Sequence, residues 1–175
     1  MQPTVLLISG RAGSGKTTFA NMLCEQLGQK ATIQPIAQRI KQIARMMGWD
    51  GRKDRRGRAL LIALGQIGRE YDPDVWIKQT VEVIDNDKTH NVFIIDDWRF
   101  RNEYQYVCTN RPKWKIITVH MQRNWTDPTA PPDDPTEKDL SEWTNYDWVI
   151  DNNGTLKELA TRAKEVATCL ITRER

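Results

Sequence analysis

Histidine and cysteine are both scarce in this chain. Two histidines, His90 and His120, and three cysteines, Cys24, Cys108 and Cys169, are scattered through 175 residues with no C-x-x-C pair. An odd, scattered set argues against a disulfide framework and against a zinc site, and points to a reducing, intracellular compartment. No apolar run approaches the ~20 residues of a membrane helix. The first residues, MQPTVLL, have no basic n-region and no signal-peptide core, so a cytoplasmic protein without a membrane partner is expected. A formal net charge of only +3 does not advertise nucleic-acid binding. Internal repeats are absent as well.

The charge balance has one local exception. DGRKDRRGR at 50–58 holds five basic and two acidic residues. On pattern alone it reads equally well as a solvated basic face and as a binding surface. A second unusual stretch, NWTDPTAPPDDPTEKD at 124–139, places four prolines within eight residues. Loops of this length inside a compact domain are usually functional or disordered.

The apolar pattern alternates between two periods. TVLLIS at 4–9 suits a strand buried on both faces. From Gly15 onward Phe19, Leu23 and Leu27 recur every fourth residue, and Gly28 then stops the helix. ATIQPIA at 31–37 reads as a second, weaker strand, followed by a helix running to Met47–Gly48. Two more helices are predicted over 59–71 and 72–85, with Asp72 as N-cap and Pro73 at the first helical position of the latter. NVFIID at 91–96 and WKIITVHM at 114–121 read as strands on either side of a short helix near 102–109. A last strand around 146–154 precedes an amphipathic C-terminal helix. Strands alternating with helices predict an α/β fold with a mostly parallel sheet, and the length predicts one domain.

The junction of the first strand and first helix carries the chemistry. Gly10-x-x-x-x-Gly15-Lys16-Thr17 is a complete Walker A motif in the strand–loop–helix setting that the motif requires. Glycines at 10, 13 and 15 allow backbone angles and close approach that a Cβ would block. Residues Gly10, Arg11, Ala12, Gly13, Ser14, Gly15, Lys16, Thr17 and Thr18 are therefore assigned to a nucleoside triphosphate. Successive N–H groups cradle the phosphates, Lys16 reaches the β- and γ-phosphates, and Thr17 takes a place on Mg²⁺.

No base-reading N-K-x-D segment marks a regulatory GTPase, and the chain is too short for a motor. A small-molecule kinase needs an acid for magnesium and arginines for an acceptor's anion. Both are present. IIDDWRFRNE at 94–103 puts Asp96 and Asp97 at the carboxyl end of a buried strand, the Walker B position, with Arg99 and Arg101 just beyond. Which of the two acids serves the metal stays open.

Three segments carry a resemblance. In the first, Arg58, Gly65, Arg69, Asp74 and Trp76 match R…L…G…R…D-x-W. In the second, Asp97, Arg99, Phe100, Asn102 and Glu103 match D-x-R-F-x-N-E. In the third, Thr136, Glu137, Asp147, Ile150, Asn152 and Gly154 match S/T-E…D…I-x-N-x-G. With the Walker A motif, these segments resemble the bacteriophage-type deoxynucleoside monophosphate kinases.

The resemblance implies an adenylate-kinase-related, P-loop NTPase-like three-layer sandwich built on a five-stranded sheet. It implies one domain over 1–175, with a helical acceptor-binding region at about 37–86 and a short lid at about 123–140. It implies ATP and Mg²⁺ as cofactors and a nucleoside monophosphate acceptor, a deoxynucleotide favoured. Arg58, Arg69 and Arg99 would hold the acceptor phosphate, and Trp76 would flank its base or else pack in the core. Lys16, Arg99, Asp97 and Arg123 would form the catalytic group. The sequence departs from the pattern in its doubled acid and in a Pro-rich lid with only Arg123 at its entrance. Two other readings stand beside this one: a P-loop kinase for another phosphorylated metabolite, and a nucleic-acid-associated ATPase using the 52–58 run. A nucleic-acid partner is disfavoured, and a homodimer is allowed with no interface signature behind it.

Overall fold

The computed structural model describes residues 2–125 and 139–172. Most of the expected lid, including Thr136 and Glu137, lies outside the described residues.

Five strands form one sheet in the order β2-β3-β1-β4-β5, and every pairing is parallel. They are β1 (Thr4–Ser9), β2 (Ala31–Ile33), β3 (Val92–Ile95), β4 (Lys115–Gln122) and β5 (Trp148–Asp151). The six helices of the described residues are α1 (Lys16–Leu27), α2 (Gln38–Met46), α3 (Arg55–Tyr71), α4 (Val75–Asn86), α5 (Arg101–Asn110) and α6 (Leu156–Thr172). A parallel sheet needs crossover helices on its faces, which explains why all six residues of β1 are buried.

Alternation along β1 sends successive side chains to opposite layers. Leu6 and Ile8 pack with Phe19 and Leu23 of α1 and with Leu159, Ala163 and Val166 of α6. Val5 and Leu7 pack on the other face with Ile40 of α2, Ile77, Val81 and Ile84 of α4, and Trp98 and Val107. Each such aliphatic side chain removed from water contributes roughly 1.5–3 kcal/mol. The result is the three-layer α/β sandwich expected.

Three boundaries differ from the sequence reading. β2 stops at Ile33, because Gln34 makes the last ladder-like bond, to the Ile94 carbonyl at 2.8 Å, and Pro35 has no N–H to continue it. α3 starts four residues before the predicted 59, because Asp54 caps it by accepting the Gly57 N–H at 2.8 Å. α4 starts at Val75 rather than at Pro73. Asp72 instead closes α3, and its carboxylate accepts the Asp74 N–H at 3.0 Å in the turn between the two helices.

Candidate active site

β1 is the central strand, and its neighbours β3 and β4 connect onward to opposite sides of the sheet. Their carboxyl ends open a crevice at this switch point. The Walker A loop leaves β1 there. Gly10, Gly13 and Gly15 take φ of +138°, +77° and +93°. A Cβ would strike the Met121 carbonyl at Gly10, the Trp125 ring at Gly13 and the Asn152 amide at Gly15. Glycine is required at all three by angle, and at Gly10, where the obstacle is main chain, by space as well.

Lys16 is buried, and its ammonium donates to the carbonyls of Gly10 and Arg11 at 2.7 and 2.8 Å. Ser14 Oγ is buried without a hydrogen-bond partner among the described residues, 2.8 Å from the place a Gly10 Cβ would take. An orphaned donor beside a loop of glycines, at the N-terminus of α1, fits a phosphate. Asn152, at the end of β5, braces the loop by donating Nδ2 to the Ser14 carbonyl at 2.8 Å. Arg11 contributes only its carbonyl to this arrangement, accepting from Ser14 N and Lys16 Nζ.

The doubled acid divides its work. Thr17 Oγ1 donates to Asp96 Oδ2 at 2.7 Å. These are two hard oxygen donors side by side, a set that suits Mg²⁺. Asp97 turns away, its two oxygens accepting the N–H groups of Ile36 and Ala37 at 2.8 and 3.0 Å. Of the two acids left open by the sequence, Asp96 is the one that meets Thr17, and Asp97 is engaged by the main chain. Asp97 pins the start of α2 to the end of β3. Burial, and then the neighbouring Asp96 charge, push its pKa up.

The loop, Asp96 and Asp97 share one cleft of about 510 Å³ with residues of α2 and α3. Ala12, Gly13, Gly15, Lys16, Thr17 and Thr18 form one wall. Arg58, Arg69, Arg99 and Arg123 also line it, as do Lys41 and Lys53. Arg99 reaches the Walker loop itself, donating Nη1 to the Gly10 carbonyl at 3.1 Å. The Arg69 guanidinium lies over the Phe100 ring, 4.3 Å from its centre. Arg58 donates Nε to the Lys53 carbonyl at 3.1 Å. Arg123 sits at the rim near Trp125 and donates to the Gly13 carbonyl at 3.4 Å. Ile36, Ile40, Leu61 and Phe100 supply an apolar wall.

Trp76 is not at the cleft surface. Its ring is buried against Gly68, and Nε1 donates to the Gly65 carbonyl at 3.0 Å. The core alternative is the one the structure adopts. Glu103 does line the cleft, yet its Oε2 accepts the N–H groups of Arg99 and Phe100 at 3.0 Å each, capping α5. Burial holds its pKa up to about 7. Asn102 ties the same helix to the start of α4 through the Pro73 carbonyl and Asp74 Oδ1. Trp143 packs on Trp98 and Tyr104, with ring centres 5.4 and 4.9 Å away, and anchors the segment that begins at Asp139.

Sequence reasoning missed Lys41, Lys53 and the bracing role of Asn152. The basic run held a signal for Lys53, but its periodicity did not say which of its charges line the cleft.

The solved structures that this chain is similar to include a provisionally assigned kinase from Chloroflexus aurantiacus, at a TM-score of 0.57, 13% identity and 98% of each chain. A gluconokinase from Sinorhizobium meliloti 1021 aligns at 0.52, with 14% identity over 99% of this chain and 98% of its own. The fold is that of the P-loop kinases. Shikimate kinase from Acinetobacter baumannii aligns at 0.50 with 16% identity, over 99% of this chain and 95% of its own. No family model matches the sequence. A relative from Ictalurid herpesvirus 1 (strain Auburn), the uncharacterized protein ORF76, is 25% identical over an alignment of 170 residues that covers 93% of this chain. The chain spans 66% of that relative's length, just under two thirds. Among the described residues no helix is long and apolar enough to cross a membrane.

Proposed function

We propose that the protein transfers the γ-phosphoryl group of ATP to a nucleoside monophosphate, a deoxynucleotide favoured, giving the diphosphate. The observation that carries the reading is the shared cleft: Arg58, Arg69 and Arg99 line the same space as the Walker loop and Asp96. Guanidinium forks match phosphate oxygens in pairs, so three of them opposite a triphosphate cradle suit a second phosphate. The apolar wall of Ile36, Ile40, Leu61 and Phe100 suits a flat base better than the hydroxyls of a sugar acid.

An acceptor phosphate has its second pKa near 6 and is mostly a dianion at pH 7. It attacks without a general base, so the protein's contribution is positioning and charge. Lys16 holds the donor's phosphates, and Arg99 stands between donor and acceptor through its contact with Gly10. Thr17 and Asp96 would hold Mg²⁺, which would supply charge neutralisation. Arg123 lines the rim of the cleft, where water must be kept from the transferred group.

One coupled assay tests the reading. ATP and Mg²⁺ are offered dAMP, dGMP, dCMP, dTMP and their ribose counterparts, and ADP release is followed against a no-acceptor control. Acceptor-dependent release supports the reading and names the base. The gluconokinase and shikimate kinase likenesses favour a second reading, a kinase of the same fold for another small acceptor, and silence with every nucleotide points there. Acceptor-independent release that rises with DNA and falls steeply with salt would replace both with a nucleic-acid-associated ATPase.

A further inference from the structure

Beyond Arg58, the basic run at 50–58 has no part in the function proposed above. In the fold the run divides. Arg52, Arg55 and Arg56 are exposed, and Arg52 pairs with Asp50 at 3.4 Å out in solvent. Lys53 is exposed as well but lines the cleft, as does half-buried Arg58.

The loop is built to make that division. Gly48 and Gly51 take φ of +89° and +91°, turning the chain back on itself after α2. The Trp49 indole donates to the Arg52 carbonyl at 2.8 Å, and a Cβ at Gly57 would strike that same carbonyl. Arg58 holds the Lys53 carbonyl, and Asp54 caps α3 immediately after it. The main chain is therefore fixed on both sides of Lys53, which a merely solvated charge run does not need.

The charged groups facing Lys53 come from three elements: Lys41 of α2, Arg58 of α3, and Asp96 and Asp97 after β3. Burial, then the like charges of Lys41 and Arg58, pull its ammonium pKa down, while the two acids oppose them. Lys53 thus shares the cleft with two further cations and two carboxylates.

We propose that Lys53 is an acceptor-phosphate ligand, paired with Arg58 across the loop–helix junction, and that this pair selects phosphate-bearing acceptors over carboxylates and neutral sugars. The inference rests on the phosphoryl-transfer reading above and deepens it. Arginine forks fix the orientation of a phosphate. A lysine is a point charge with three donors, and it adds neutralisation for the second negative charge that a carboxylate lacks.

The test is trace acetylation of lysines in the full chain, read by mass spectrometry, with the nucleoside monophosphate panel and separately with inorganic phosphate. Saturation with an accepted monophosphate is expected to protect Lys53 about tenfold while leaving Lys157, which does not line the cleft, unchanged. Lys53→Met is expected to raise the acceptor KM about 10- to 100-fold with the ATP KM unchanged, and Lys53→Arg to recover most of it. Arg52→Met serves as the surface comparison and is expected to change neither. Lys53 that stays fully reactive under an accepted monophosphate, or a normal acceptor KM in Lys53→Met, overturns the inference. If the wild type phosphorylates none of the panel, it is the nucleotide reading that fails. Inorganic phosphate then decides Lys53 alone: saturable protection upholds a phosphate ligand, and its absence overturns it.

Discussion

Thr17 and Asp96 lie 79 positions apart in the chain, and their side chains meet at 2.7 Å where β1 and β3 end. Asp97, one residue on, spends both oxygens on main-chain N–H groups. Asn substitutions separate the two roles. Asp96→Asn is expected to lower turnover about 10²- to 10³-fold and to weaken the Mg²⁺ dependence with little change in melting temperature. Asp97→Asn leaves an amide facing a main-chain donor and is expected to cost about 1–3 kcal/mol of stability. Magnesium titrations and thermal melts of both variants check this. A Mg²⁺ defect confined to Asp97→Asn would exchange the two assignments.

Lys16→Ala removes the ammonium that bonds to the Gly10 and Arg11 carbonyls. The loop keeps the Ser14 N–H bond to Arg11 and the Asn152 brace, so the fold is expected to survive. Turnover is expected to vanish, because nothing else buried in the loop carries positive charge to the donor phosphates. Circular dichroism together with the coupled assay checks this. Substantial kinase activity in a folded Lys16→Ala protein would remove the P-loop assignment.

Arg99 and Arg69 both line the cleft but differ in reach. Arg99 touches the Gly10 carbonyl, while Arg69 rests on Phe100 away from the loop. Arg69→Ala is therefore expected to raise the acceptor KM about tenfold or more while sparing kcat. Arg99→Ala is expected to raise the acceptor KM and also to lower kcat, since its position serves both phosphates. Steady-state kinetics with each substrate varied in turn separate the patterns. Unchanged acceptor kinetics in Arg99→Ala would take Arg99 out of the site.

The order of elements was legible because buried parallel strands and amphipathic helices leave different apolar periods, and the Walker loop was legible because its glycines answer steric needs. What failed were distinctions that depend on the third dimension. Asp96 and Asp97 are chemically identical in sequence, and only the strand pleat decides which one faces Thr17. Trp76 lies at a helical spacing that served a base-stacking role and a core role equally, and the close approach of Gly68 drew it inward. The place of Lys53 at the cleft depends on Trp49 and Gly57, residues that carry no charge signal. Asp72 resembles an N-cap by type, yet the turn into α4 leaves it closing α3 instead.

The core placement of Trp76 predicts a stability effect without a kinetic one. Trp76→Phe loses the indole bond to the Gly65 carbonyl, which keeps its place in the ladder of α3, and thins the ring packed on Gly68. The expected loss is about 0.5–1.5 kcal/mol in a urea melt, with the acceptor KM within about twofold of wild type. A large KM effect at normal stability would return Trp76 to the acceptor site.

Glu103 gives the protein a pH dependence of definite sign. Burial raises its pKa from 4.5 to about 7, against the pull of the Arg99 and Phe100 N–H groups and the Arg69 charge. A carboxyl whose folded pKa is raised favours the folded state while protonated. Its stabilisation is complete below pH 4.5 and is lost as pH climbs through about 7. Asp97, also raised by burial, acts in the same direction. Asp87, held down to about 2 by His90, acts in the opposite sense but only at more acid pH. Glu103→Gln keeps an oxygen for the two N–H groups and removes the titration. The wild type is therefore expected to lose up to about 3 kcal/mol of stability between pH 5 and pH 8 that the Gln variant does not lose. Urea melts of both proteins at the two pH values measure the difference. Parallel pH slopes in the two proteins would show that the Glu103 carboxylate is accommodated in the fold without cost, and its role would then reduce to capping α5.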